Sequence, residues 1–165
     1  MDRILRAMLF VPANSWRMIT TAATESGDAV ILDLEDACPI AEKETGRIFA
    51  RDSIRMLKEK GIDVFVRVNS FETGMTEKDI DYVVVKGLDG IMLPKAESKE
   101  DIFRLDALLK IEEEKKGLTP NSVVILPLLE SPKGISAVSE IISGSRRVIG
   151  VSFGAGDYSR EIGAG

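Results

Sequence analysis

A chain of 165 residues with 44% apolar and 30% charged side chains is long enough to bury a real core. Its net charge of −5, with both signs spread along the length, argues against nucleic acid as the main partner, which calls for a basic face, and leaves room for a local basic pocket. No histidine occurs, which removes Ser-His-Asp and Cys-His catalysis, histidine bases and histidine metal ligands together, and the single cysteine, Cys38, excludes an intrachain disulfide.

The N-terminal stretch through Trp16 has too short an apolar run to span a membrane and no secretory cleavage pattern. Its Ala7–Val11 reads as a buried first strand, stopped by Pro12. Asn14 or Ser15 caps a helix to about Glu25, with Met18, Ile19 and Ala22 on one face. Ala29–Leu34 is the second strand. A helix from near Pro39 to Lys60 follows, with Ile48, Ile54 and Leu57 inward and Lys43 and Arg47 on a solvated face. Val64–Val68 is the third strand, and Thr76 with Asp79 has the spacing of a capping box before a helix carrying Ile80, Val83 and Val84.

Gly90–Leu93 makes the fourth strand. Ser98 and Asp101 repeat the cap spacing, and Ile102, Leu105, Leu108 and Leu109 stripe the helix to about Lys116. Val123–Leu129 is the fifth strand, in which Pro127 predicts a local bulge. Ser131 and Pro132 open the next helix, with Ile135, Val138, Ile141 and Ile142 inward. Val148–Phe153 is the sixth strand, and a glycine-rich segment runs from Gly154 to Gly165.

Continuous apolar strands alternating with amphipathic helices predict an α/β fold, a parallel sheet covered by helices, in a single domain over residues 1–165. A doubly wound sheet and a (β/α)8 barrel both fit this pattern. The first turn after a strand has no glycine fingerprint for a dinucleotide, and there is no Walker A sequence.

Functional groups in such folds gather where strands end. The residues there are Asp33, Glu35 and Asp36 at the end of the second strand, Arg67 and Asn69 at the third, Lys95 after the fourth, Glu130 after the fifth and Asp157 after the sixth. Glu130 and Asp157 follow neighbouring strands, about 4.8 Å apart, where two carboxylates repel unless a cation sits between them. Carboxylates without histidine select a hard ion such as Mg²⁺. Each has a structural alternative: Glu130 as a helix-dipole carboxylate ahead of Pro132, Asp157 as an N-cap for Tyr158–Ile162. Arg67 either bridges to Asp33 or Glu35, clamps a substrate carboxylate, or does both. Lys95 reads as a buried structural ion pair, in preference to a phosphate contact or a Schiff-base lysine. Glu35 and Asp36 read as groups orienting Arg67 or metal-bound water, or as a charged helix start.

The segments LFVPANSWRM (Leu9–Met18), DAVILDLEDA (Asp28–Ala37), the Lys43 and Arg47 pair, VRVN (Val66–Asn69), DGIMLPKAES (Asp89–Ser98), ILPLLES (Ile125–Ser131) and SFGAGDYSREIG (Ser152–Gly163), in this order, resemble the citrate lyase β-subunit family within the HpcH/HpaI aldolase and citrate lyase superfamily. The resemblance implies a (β/α)8 TIM barrel of which this chain supplies about the first six βα steps. It also implies Mg²⁺ held by Glu130 and Asp157, and substrate contacts from Arg67 and Glu130. The implied activity is carbon–carbon cleavage of a hydroxyacyl thioester: citryl on an acyl-carrier protein, or a malyl- or citramalyl-CoA type substrate, giving a 2-oxo acid. Such proteins are cytoplasmic and usually homo-oligomeric, and some work with other citrate lyase subunits. The competing expectation is a non-catalytic module that binds an acyl thioester or carrier protein. No general acid or base is assigned.

Overall fold

The computed structural model describes residues 5–25 and 27–164; residues 1–4 of the N-terminal reading and Gly165 of the C-terminal segment lie outside them. Strands and helices alternate: β1 (Met8–Pro12), α1 (Trp16–Ala22), β2 (Ala29–Asp33), α2 (Lys43–Glu59), β3 (Asp63–Arg67), α3 (Thr76–Val83), β4 (Gly90–Leu93), α4 (Lys99–Lys115) and β5 (Val124–Leu129). Two short helices, α5 (Pro132–Ser136) and α6 (Val138–Ile142), precede the two-residue β6 (Ser152–Phe153) and α7 (Ala155–Glu161). Ser15, Ser98 and Ser131 cap α1, α4 and α5 through their hydroxyls, and Ser98 with Asp101 completes a capping box.

All strands are parallel, in the spatial order β1-β2-β3-β4-β5-β6. A doubly wound sheet reverses its strand order partway. This sheet never does, so it is the curved wall of a TIM barrel. Side chains alternate across that wall. Val30, Leu32, Val64, Val66, Ile91 and Leu93 face outward and bury Ile54, Leu57, Ile80, Ile102 and Leu105 of the helices. The alternate positions Ala29, Ile31, Phe65, Met92, Leu126 and Leu128 form a second, inner core. Each large side chain so buried contributes about 1.5–3 kcal/mol. Gly90 supplies the space for one of them, since a Cβ there would stand 2.4 Å from the Phe65 ring. The next inward positions along β2 and β3 are Asp33 and Arg67, which sit opposite each other in register. Thus the strand period that builds the inner core also carries the polar rim above it.

Several local expectations change. Met18 is 48% exposed, because α1 covers an edge strand and turns only Ile19 and Ala22 onto it. Pro127 pairs in register with Leu93, so β5 has no bulge. The irregularity falls across from it instead: Ile125 pairs with Val148 but Leu128 with Ser152, so three steps along β5 match four along the facing segment. Ile125 bonds toward that segment, so Pro127, two residues on, withholds its N–H from the same side. This cuts regular pairing of β6 down to two residues. The helix after β5 breaks at Ala137, which resets its phase. Ile141 is then buried, whereas Ile135 and Ile142 are exposed. The glycine-rich segment contains α7.

Thr76 and Asp79 form no cap. Thr76 Oγ1 donates to the Asn69 carbonyl, and the Asp79 carboxylate accepts from Asn69 and from Arg47. A buried arginine needs a carboxylate, and this outweighs a helix cap. Among the described residues, no helix is long and apolar enough to cross a membrane.

Candidate active site

The site begins where β2 ends. Asp33 is fully buried and its carboxylate receives four hydrogen bonds: from the Glu35 and Ala37 N–H groups at 2.9 and 3.0 Å, and from Arg67 Nε and Nη2 at 2.8 and 2.6 Å. The first two fold Leu34–Ala37 into a tight turn; the last two fix the guanidinium side-on. Arg67 Nη1 then lies 3.0 Å from Glu35 and 3.7 Å from Asp36, and the Phe10 ring packs 5.2 Å from its Cζ. Arg67 therefore bridges to Asp33 and Glu35 together.

Glu130 follows β5 and is 5% exposed. One hydrogen bond reaches its carboxylate among the described residues, from the Lys95 N–H at 3.1 Å. Lys95 has a left-handed backbone (φ 51°), unusual for a residue with a side chain, and that turn aims its N–H at Glu130. The expected Lys95 ion pair is not formed among the described residues; Lys95 is exposed and its contact with Glu130 runs through the main chain. Burial raises the Glu130 pKa, and the Lys95 N–H and Arg67 only partly offset it.

Glu35 is pushed up to about 7, by burial first and then by Asp36 and Glu130, against the pull of Arg67 and Lys95. The structure thus brings Glu35, Asp36, Arg67, Lys95 and Glu130 within electrostatic reach of one another. A carboxyl raised from 4.5 to about 7 in the fold stabilises it fully below the lower value, and that contribution is lost as pH rises through the upper one. Glu35→Gln removes the titration. Its melting temperature relative to the unaltered protein is therefore expected to be higher at pH 8 than at pH 5, and an equal offset at both values would contradict the assignment.

Asp157 occupies the first turn of α7, whose N-cap is Gly154, so Asp157 is not itself a cap. It pairs with Arg160 one turn on. The Gly154 N–H donates to the Leu129 carbonyl at 2.9 Å, which seats the start of α7 against Glu130. A Cβ on Gly154 would stand 2.5 Å from Glu130 Cγ and 2.8 Å from Oε1. Among the described residues, no cluster of three or more ligating side chains is pre-assembled. The donor set still fits a hard cation. Glu130 is a buried carboxylate with one hydrogen bond, and Asp157 lies on the adjoining element; Mg²⁺ asks for one or two carboxylates and keeps several waters.

Two further residues stand behind this rim. Lys43 and Arg47 are buried, contrary to the solvated face read from their spacing. Lys43 Nζ donates to the Leu34 and Glu35 carbonyls and to Asn69 Oδ1 at 2.6–2.7 Å. Asn69 in turn donates to Asp79, which also takes Arg47 Nε. The Leu34 and Glu35 carbonyls just past the end of β2 have lost their ladder partners, and Lys43 of α2 supplies a donor in their place; past β3 the Asn69 carbonyl takes the Thr76 hydroxyl of α3.

Residues 6–165 match the HpcH/HpaI aldolase/citrate lyase family. The chain belongs to that family. It is 32% identical over 160 residues to the citrate lyase subunit beta of Haemophilus influenzae, covering 97% of this chain and 55% of the relative. It is 32% identical over 161 residues to the L-malyl-CoA/beta-methylmalyl-CoA lyase of Cereibacter sphaeroides, covering 96% and 50%. The chain thus spans about half the length of these curated relatives. Among solved structures, the citrate lyase beta subunit of M. tuberculosis complexed with oxaloacetate and magnesium superposes with a TM-score of 0.71 at 26% identity, covering 97% of this chain and 64% of that one. The fold of this family member is therefore the barrel wall described above.

Proposed function

We propose that this chain carries the metal and substrate rim of a Mg²⁺-dependent carbon–carbon lyase acting on a hydroxyacyl thioester. One observation carries the reading: two buried carboxyls, Glu35 with an oxygen unpartnered among the described residues and Glu130 with a single hydrogen bond among them, share a rim with a fixed arginine. Buried carboxylates with unfilled lone pairs are costly unless a cation or a ligand completes them. The similarity to a citrate lyase subunit and a malyl-CoA lyase, and to a subunit holding oxaloacetate and magnesium, supports the same chemistry.

In this reading Glu130 and Asp157 hold the ion, with Lys95 steadying Glu130 through its N–H. Mg²⁺ there supplies a Lewis acid for negative oxygen. Arg67 orients a substrate carboxylate, held in place by Asp33 and Phe10. Cleavage removes the hydroxyl proton and breaks the C–C bond, giving a 2-oxo acid and a thioester enolate; protonation of that carbon yields the shorter acyl thioester. CoA and an acyl-carrier protein both fit as the thioester carrier. The chain is expected to cleave such a thioester with Mg²⁺, to stop on adding EDTA, and to restart when Mg²⁺ is returned. Undiminished turnover in EDTA would refute the metal role, and thioester binding without turnover would favour the non-catalytic alternative.

A further inference from the structure

Arg67 is over-supplied with acid. Asp33 takes Nε and Nη2 from the side. This leaves the end-on pair, Nη1 with the second hydrogen of Nη2, as the fork able to grip another carboxylate in bidentate fashion. Glu35 stands at that fork: Oε2 is 3.0 Å from Nη1, with Asp36 at 3.7 Å. The contact is poorly made. Glu35 is 8% exposed, yet among the described residues its Oε2 has no hydrogen-bond partner, so charge alone holds it there. Asp33, with four hydrogen bonds, is fixed; Glu35 is not. A ligand carboxylate arriving beside all three would set four negative charges around one positive, which like-charge repulsion opposes.

We infer that Glu35 occupies, in the unliganded protein, the arginine fork that a substrate carboxylate takes, and so acts as a gate that a 2-oxo or 2-hydroxy acid must displace. The inference rests on the proposed role of Arg67 as the carboxylate clamp. It makes Glu35 a residue that lowers affinity for acids, the opposite of what a supporting side chain does. The two carboxylates compete for one cation, and removing the internal one leaves the guanidinium to the ligand.

The test is calorimetric titration of the whole chain with pyruvate at pH 8, where Glu35 is ionised, at a fixed excess of Mg²⁺, with thermal melting to show that each variant is folded. Glu35→Gln, equal in shape, is expected to bind pyruvate about tenfold tighter. Glu35→Ala, too short to reach the fork, is expected to move the same way. Arg67→Lys is expected to lose tenfold or more, both alone and combined with Glu35→Gln. If Glu35→Gln binds no better while Arg67→Lys still weakens binding, the gate is wrong and the clamp stands. If Arg67→Lys changes nothing, the clamp is wrong and the gate falls with it. Absence of binding in both the unaltered protein and Glu35→Gln also overturns the gate.

Discussion

Replacing Gly154 with valine is expected to weaken Mg²⁺ binding about 10- to 100-fold, the usual cost of disturbing the support of a metal ligand. Gly154 has an ordinary negative φ of −94°, so its backbone does not require glycine. The space does. Its missing Cβ would collide with Glu130 at Cγ, 2.5 Å away, which rotation about the outer side-chain bonds cannot move, so χ1 itself must change. Glu130 must therefore leave its rotamer and the Lys95 N–H. Because Gly154 lies at the rim, above both apolar cores, the fold is expected to survive with a small change in melting temperature. Alanine tests the same collision with less bulk and should fall between glycine and valine. Mg²⁺ affinity unchanged in both variants would show that the orientation of Glu130 is not set by Gly154.

Arg147→Met is expected to destabilise the protein by about 3–5 kcal/mol, the cost of leaving a buried charge without its partner. Arg147 is 3% exposed and binds the equally buried Glu113 through both Nη atoms at 2.8 and 2.7 Å, Asp106 through Nε at 2.6 Å, and the Val123 carbonyl at 2.9 Å. Glu113 also receives the Asn121 and Val123 N–H groups. Burial alone raises its pKa, but Arg147 and these amides more than reverse that and hold it low. The cluster ties α4 to the approaches to β5 and β6, at the opposite ends of the strands from the site. Methionine fills most of the volume but leaves the buried Glu113 without a counter-charge, while Asp106 keeps only Lys110 among the described residues. The expected reading is a lower urea midpoint with an unchanged slope. The exposed pair Arg55–Glu59 is the contrast: its removal should change stability by less than about 0.5 kcal/mol, and equal losses at the two places would contradict this account.

The strand ends are legible in the sequence because two signals coincide there. The apolar runs Ala29–Leu34 and Val64–Val68 each carry one charged residue next to their last position, and the period of two places these, Asp33 and Arg67, inward above Ile31 and Phe65. The buried network is hidden for the opposite reason. Lys43 and Arg47 at i, i+4 resemble any solvated helix face, and only the fold shows that α2 begins over carbonyls that have run out of ladder partners. Asp79 reads as a cap because its spacing from Thr76 is right, whereas its true partner, Arg47, is 32 residues away. Arg147 carries no local signal in its short loop. Gly154 is visible as a glycine, but that it vacates space for Glu130 depends on pairing between β5 and β6.

The central claim is that Glu130 and Asp157 hold one hard divalent ion. Titration of the whole chain with Mn²⁺, followed by the loss of the free-ion EPR signal and reversed by Mg²⁺, tests it without any substrate. The expected result is one competed ion per chain, with Glu130→Gln and Asp157→Asn each weakening it at least about tenfold. Binding that is as tight in both variants as in the unaltered protein would contradict the claim.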